Sequence, residues 1–209
     1  MTDEQQLVLH FTQTFNVPYP DIPTIPGPDI CTLRMTLLEE ELEELKEAYA
    51  NEDLVKIADG LGDLLYVTYG AAIACGMSLR PHLSLAPSEN YTLIPVPEFT
   101  ERMDKFHVTF SFLRTIFTHG NTYHINGSYY RAYLQKTLEL LQEVIYNTAA
   151  VFHLDLKPIF DEIHRSNMTK LWEDGLPRIR EDGKILKPPT YTPPDLTPLV
   201  EQQTRRKSA

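Results

Sequence analysis

Between Ile30 and Ala50 the apolar residues Ile30, Leu33 and Leu37 recur at helical spacing. At about 100° per residue they form one stripe, which Ala48 rejoins further on. Glu40, Glu41 and Glu44 stand on that same stripe, where the pattern asks for leucine, while Glu39, Glu43 and Lys46 fall on the opposite side. A charge run on a helix ordinarily faces water. In "LLEEELEELKEAY" (Leu37–Tyr49), however, part of the run points inward. Withdrawn, unpaired carboxylates are costly and repel one another, so a cation is expected among them.

The remaining periodicity predicts further helices. Thr2 to Phe15 reads as a short one, with Thr2 and Gln5 spaced as a capping box. Five prolines between Pro18 and Pro28 forbid a regular element and predict an extended strap. Asp29 is the expected N-cap of the glutamate helix, which runs to about Ala50. Asn51 or Glu52 is expected to open the next helix, and Gly76 to close it from the C′ position. Beyond a loop at Pro81–Pro97 come helices near Glu98–His119, Ser128–His153 and Asp155–Leu171. Proline and turn residues dominate after Trp172, with a short hairpin expected around "LPRIREDGKIL". The fold class is all-α, a helical bundle.

Composition narrows the function. The chain has 209 residues, 42% of them hydrophobic, with 29 acids against 19 bases and a net charge of −10. Such a surface disfavours nucleic-acid polymers as partners. The basic "RRK" at Arg205–Lys207 reads as a solubilising end. No apolar run approaches the roughly 20 residues that span a bilayer, so no membrane partner is expected. Cys31 and Cys75 show no metal-ligand spacing, and the simple expectation is a reduced, cytoplasmic protein.

A second acidic pair follows in "IADGLGDLLYVTYGAAIACG". Asp59 and Asp63 are one turn apart and share a helix face. Gly60 and Gly70, each costing about 1 kcal/mol in a helix, make sense if another helix or a ligand comes close. Two antiparallel helices with inward acids can hold a divalent ion, and Mg²⁺ favours oxygen ligands while leaving positions for substrate phosphates. "EELEE" at Glu40–Glu44 followed by "DGLGDLLYV" resembles the EExxE…ExxD signature of the all-α nucleoside triphosphate pyrophosphohydrolases, which include the MazG proteins, dimeric dUTPases and phosphoribosyl-ATP pyrophosphohydrolases. "DEIHRSNMTKLWEDGLPRIREDGKILKPPTYTPPDL" resembles the C-terminal segment of the MazG-like branch.

The resemblance implies Mg²⁺-dependent (or Mn²⁺-dependent) cleavage of a nucleoside triphosphate between the α and β phosphates. It assigns Glu41, Glu44 and Asp63 as metal ligands and Glu40 as the residue that ligates metal or orients the attacking water. The chain departs from the pattern at Gly60, where the fourth acid is expected, and Asp59 is the neighbour able to take that role. Asn167, Lys170, Lys187 and Tyr191 lie in the matched C-terminal segment and are the expected substrate-binding residues. The nucleotide is the small-molecule partner, its base unassigned. Phosphoribosyl-ATP as substrate, or a catalytically weak scaffold protein, are the alternatives.

The expected organisation is a single all-α domain over 1–196, with a metal-binding helix pair at 29–80 and a substrate-binding segment at 155–196, before a flexible tail at 197–209. Tyr69–Pro81 and Tyr146–Pro158 match in length and pattern, which suggests that 98–158 is a degenerate second helix pair. The chain would then be a monomeric pseudodimer, with further association into a homo-oligomer left open.

Overall fold

Thr2 starts the first helix as the sequence requires: its hydroxyl accepts the Gln5 N–H at 3.0 Å, and α1 runs over Asp3–Thr14. Gln5 does not reach back to complete a capping box. Its side-chain amide is buried and clamps a distant loop, donating to the Met77 carbonyl at 2.8 Å and accepting from the Leu79 N–H at 2.9 Å. The computed structural model describes residues 1–82, 96–119 and 127–205, without the side chains of 96–100, 102 and 127. Most of the expected loop at 81–97 lies outside the described residues, as do Arg206 and Lys207 of the basic end.

The other helices are α2 (Pro28–Ala50), α3 (Leu54–Ala74), α4 (Val96–His119), α5 (Gly127–Val151), α6 (Leu156–Met168) and α7 (Thr197–Arg205). Among the described residues the only extended pairing is an antiparallel bridge between Ile179 and Ile185, so the class is all-α. The bridge is the expected hairpin, closed by Arg180 N–H to Lys184 O at 2.9 Å and Leu186 N–H to Arg178 O at 2.9 Å.

Three boundaries differ from expectation. Gly27, not Asp29, is the N-cap of α2, because Pro28 takes the first helical position, where its missing N–H costs nothing. Asp53, not Asn51 or Glu52, caps α3 by accepting from Val55 and Lys56 N–H, each at 3.1 Å. The expected tail is helical over Thr197–Arg205, because Leu196 and Val200 are buried and Gln203 clamps the Asp155 backbone through 2.7 Å and 3.1 Å bonds.

α2 carries two stripes rather than one. Cys31, Met35, Leu38, Leu42, Leu45 and Ala48 are buried against the core. Ile30 is exposed, and Leu33 and Leu37 flank the core with Glu40 and Glu41, all four half-buried. α3 is apolar nearly all round because it packs against α1, α2, α5, α6 and α7. Gly60 serves α2, since a Cβ there would lie 3.1 Å from Leu45 Cα. α4 and α5 pack on each other, with α4 against α2 and α5 against α3.

The matching segments at 69–81 and 146–158 end their helices identically. Gly76 and His153 both have positive φ, +65° and +58°. In α3 the bonds are Gly76 N–H to Ile73 O and Met77 N–H to Ala72 O; in α5 they are His153 N–H to Ala150 O and Leu154 N–H to Ala149 O. This is the Schellman ending. Yet α1 ends the same way at Asn16 and α2 at Glu52. The likeness therefore reports a shared way of stopping a helix, and a duplication has to rest on the packing of α4–α5 over α2–α3.

Gly76 is the position where this ending is least replaceable. Besides its left-handed backbone, a Cβ would meet the Ile22 carbonyl oxygen at 2.6 Å, where the proline strap crosses beneath the end of α3. Gly76→Ala should cost about 2 kcal/mol or more, the left-handed penalty alone being roughly 1–2 kcal/mol. Urea denaturation checks this, with Gly175→Ala as the reference: there φ is +73° but nothing lies within 4 Å.

The segment after α3 is held on α5 by charge. Arg80 donates to buried Glu139 through Nε at 3.0 Å and Nη2 at 2.6 Å, and Gln142 donates to the Arg80 carbonyl at 3.0 Å. The Arg80 hydrogen bonds hold the Glu139 carboxyl below its ordinary value of 4.5. A depressed folded value means that the stabilisation is present above pH 4.5 and lost as pH falls through the folded value. Glu139→Gln should therefore cost about 1 kcal/mol near neutrality, and the difference from wild type should shrink towards pH ~3 in urea titrations.

Candidate active site

The acids of α2 and α3 meet across an antiparallel pair. Glu41 and Asp63 form one layer, Glu44 and Asp59 the next, with Glu41, Asp59 and Asp63 half-buried and Glu44 exposed. Burial first, and then the neighbouring Glu44 carboxylate, push Glu41 up to about 7. Burial followed by Glu41 raises Asp63 well above the usual carboxylate range, and burial with Glu44 raises Asp59. Each ionised form is thus destabilised where it sits.

The cations that the pattern demanded come from the C-terminal segment. Lys170 stands among Asp63 and Glu41, its own pKa lowered mainly by burial. It follows the α6 C-cap Thr169 instead of riding within the helix, and its N–H bonds the Asn167 carbonyl at 3.1 Å. Lys184 pairs with Glu40 from the hairpin. Lys187 lies near Asp59, its ammonium 4.6 Å from the centre of the Tyr191 ring. The returning segment is pinned along α6: Ser166 Oγ donates to the Thr192 carbonyl at 2.9 Å and accepts from the Tyr191 hydroxyl at 3.0 Å.

Glu41, Asp63, Asn167, Lys170 and Lys187 all line one cleft of about 180 Å³. That is below the roughly 300 Å³ at which ligand pockets usually begin. Glu40, Glu44, Asp59 and Tyr191 do not line it: Glu40 is engaged by Lys184, and the Tyr191 ring is taken up by the Lys187 ammonium. A larger hollow of about 500 Å³ lies between α4 and α5, bordered by Phe112, Tyr133 and Glu139. Arg80 already satisfies Glu139 there, so the chemistry belongs to the smaller cleft.

Several cleft residues were not singled out from the sequence, Lys184, Tyr66 and Arg34 among them. Lys184 sits on the hairpin turn, Tyr66 donates or accepts at His164 Nδ1 (3.1 Å) one turn from Asp63, and Arg34 lies on α2. Arg34 was within reach of the pattern, since 33, 34, 37 and 41 share one helix face.

Among the described residues no three His, Cys, Asp or Glu side chains are gathered closely enough to hold a metal ion. The donor chemistry nevertheless fits a hard divalent cation. The acids offer only oxygen, their ionised forms repel, and Asp59 Oδ1 is buried with no hydrogen-bond partner. Gly60 cannot contribute, and an acid there would have to part α3 from the α2 backbone. The two cysteines are free and buried, and no helix among the described residues is long and apolar enough to cross a membrane.

Residues 8–84 match the family described as phosphoribosyl-ATP pyrophosphohydrolase. That family belongs to the MazG-like all-α nucleoside triphosphate pyrophosphohydrolase superfamily, the one that the motifs in this part of the chain resemble. Over 161 residues the chain is 31% identical to an uncharacterized protein of Acanthamoeba polyphaga mimivirus, covering 69% of this chain and 60% of that protein. It thus spans less than two thirds of that relative's length. No solved structure matches.

Proposed function

We propose, on the match of residues 8–84 to this superfamily, that the protein hydrolyses a nucleoside triphosphate between its α and β phosphates, releasing pyrophosphate with Mg²⁺ or Mn²⁺ as cofactor. The observation that carries the reading is the meeting of Glu41 and Asp63 with Lys170 and Lys187 in one cleft. Acids alone would repel a triphosphate, and lysines alone would bind it without holding a cation. Both together suit a phosphoanhydride that arrives with metal.

Glu41 and Asp63 would hold the ion, with Glu44 and Asp59 from the second layer. When bound, the metal would neutralise the phosphates and acidify the attacking water. Lys170, Lys184 and Lys187 would grip phosphate oxygens as point charges. Because Lys184 pairs with Glu40, its transfer to the substrate frees the Glu40 carboxylate to orient water and accept its proton. Tyr191 keeps Lys187 in place, and Asn167 offers an amide on the same wall. Helices α4 and α5 act as an in-chain cover over α2 and α3, in keeping with a pseudodimer.

The test is a nucleotide panel with Mg²⁺, read for pyrophosphate and monophosphate. Orthophosphate as first product would overturn the reading. Phosphoribosyl-ATP belongs in the panel because the matching family carries its name. The weak-scaffold alternative is favoured by one observation, the packing of Gly60 against Leu45 where an acid is expected. It predicts nucleotide binding without turnover.

A further inference from the structure

The cleft has two unlike kinds of lining. Glu41, Asp63 and the lysines supply charge, Val8, Phe11, Val17 and Val67 supply apolar surface, and Arg34 lines the same cleft. Arg34 forms no ion pair or hydrogen bond among the described residues, and its Nε–H is buried without a partner. Its guanidinium lies over Gly70, where an added Cβ would be 3.2 Å from Nη1, so the missing side chain leaves it room. The titratable neighbour it senses is Cys75, whose thiol burial pushes up to about 12 and so keeps neutral. An arginine stays charged when buried, and an unpaired donor in an apolar wall is costly. A ligand that brings acceptors would remove that cost.

Position says which part of a nucleotide meets it. Seven residues separate Arg34 from Glu41 on α2, and seven separate Gly70 from Asp63 on α3. At 1.5 Å per residue both intervals are about 10 Å, a span comparable to a nucleoside between its α-phosphate and the far edge of its base. The apolar side chains suit a base, and Phe11 adds an aromatic ring to the lining of the same cleft. The guanidinium only donates, so the base edge must accept. Guanine and hypoxanthine present O6 beside N7, and pyrimidines present carbonyl oxygens, whereas adenine places an amino donor beside N7.

We propose that Arg34 reads an exocyclic oxygen of the nucleobase, so that the site takes oxo-bearing bases and discriminates against adenine. This rests on the cleft being the nucleotide site, and it deepens that reading by naming the base class.

Inosine and adenosine nucleotides form the decisive pair, since they share size and differ at that one edge. Wild-type kcat/KM should favour ITP over ATP, and dITP over dATP, by about 10-fold or more, one well-placed guanidinium contact being worth roughly 1–3 kcal/mol of base discrimination. Arg34→Met should bring the ratio close to one. Gly70→Ala, which keeps the arginine but displaces it, should lower the ratio without removing it. Calorimetric binding of IMP against AMP repeats the comparison without turnover and needs no metal. Equal kcat/KM for the two bases in wild type, or a ratio unchanged in Arg34→Met, would overturn the inference while leaving the pyrophosphohydrolase standing. So would an equal loss on both nucleotides in Arg34→Met, which would assign Arg34 to phosphate. Absence of pyrophosphate from every nucleotide would instead sink the enzymatic reading, and the IMP–AMP comparison would then decide the base preference by itself.

Discussion

Asp63→Asn is expected to abolish Mg²⁺-dependent pyrophosphate release, by at least about 100-fold in kcat, the scale on which loss of one preorganised electrostatic group acts. Burial, and then Glu41, disfavour the ionised form of Asp63, which lines the cleft beside Lys170. Such a site tolerates a charge only when a cation comes to it. The same variant should lose the stabilisation that Mg²⁺ confers on wild type, which reaches about 2.7 kcal/mol at a metal concentration of ~100 Kd. In the metal-free protein Asp63→Asn should be neutral or stabilising, because one of several repelling carboxylates is gone. Full turnover in Asp63→Asn would place the reaction elsewhere. A parallel Glu41→Gln variant, read by the same two assays, distinguishes a shared site from one critical residue.

The second large effect concerns Lys170. Lys170→Met removes the cation set among Asp63 and Glu41 and leaves those acids uncompensated. Breaking a buried charge pair from one side costs about 3–5 kcal/mol. The metal-free variant should therefore unfold at markedly lower urea concentration, and Mg²⁺ should restore part of the loss, since it can compensate the same carboxylates. Thermal denaturation with and without Mg²⁺ separates the outcomes. A loss that Mg²⁺ leaves untouched would mean that lysine and metal do not share the acids. No loss at all would mean that Lys170 belongs to the solvent.

The two substitutions act in opposite senses on the metal-free fold, although their side chains are neighbours. That follows from the charge count in the cleft: the carboxylates outnumber the ammonium beside them. Removing an acid relieves repulsion, and removing the lysine worsens it.

By itself the sequence determined the helices, because their signals are local. The 3.6-residue periodicity, Thr2 as a cap, Gly76 at a helix end and the proline strap each act within a few residues of themselves. It also determined that the glutamates of α2 needed cations, since like charges withdrawn from water must be compensated wherever they go. The motif order then pointed to the family. The tertiary structure decided everything that depends on distance between segments. Lys170, Lys184 and Lys187 lie more than a hundred residues from Glu41, and no spacing rule connects them; burial of α6 and the Ile179–Ile185 hairpin does. The stripe containing Leu33 and Leu37 looked like a core face but borders the cleft, because α2 has a second, fuller apolar stripe for α3 to cover. Arg34 was hidden for the same reason: a lone arginine beside a leucine is ordinary on a surface helix. Only the glycine floor opposite it, and the absence of a described partner for its Nε–H, show that the charge is kept inside and left unspent. Local sequence fixes what a residue can do. Which groups it meets is set by packing, because the free energy of a buried charge depends on neighbours that the chain brings from far away.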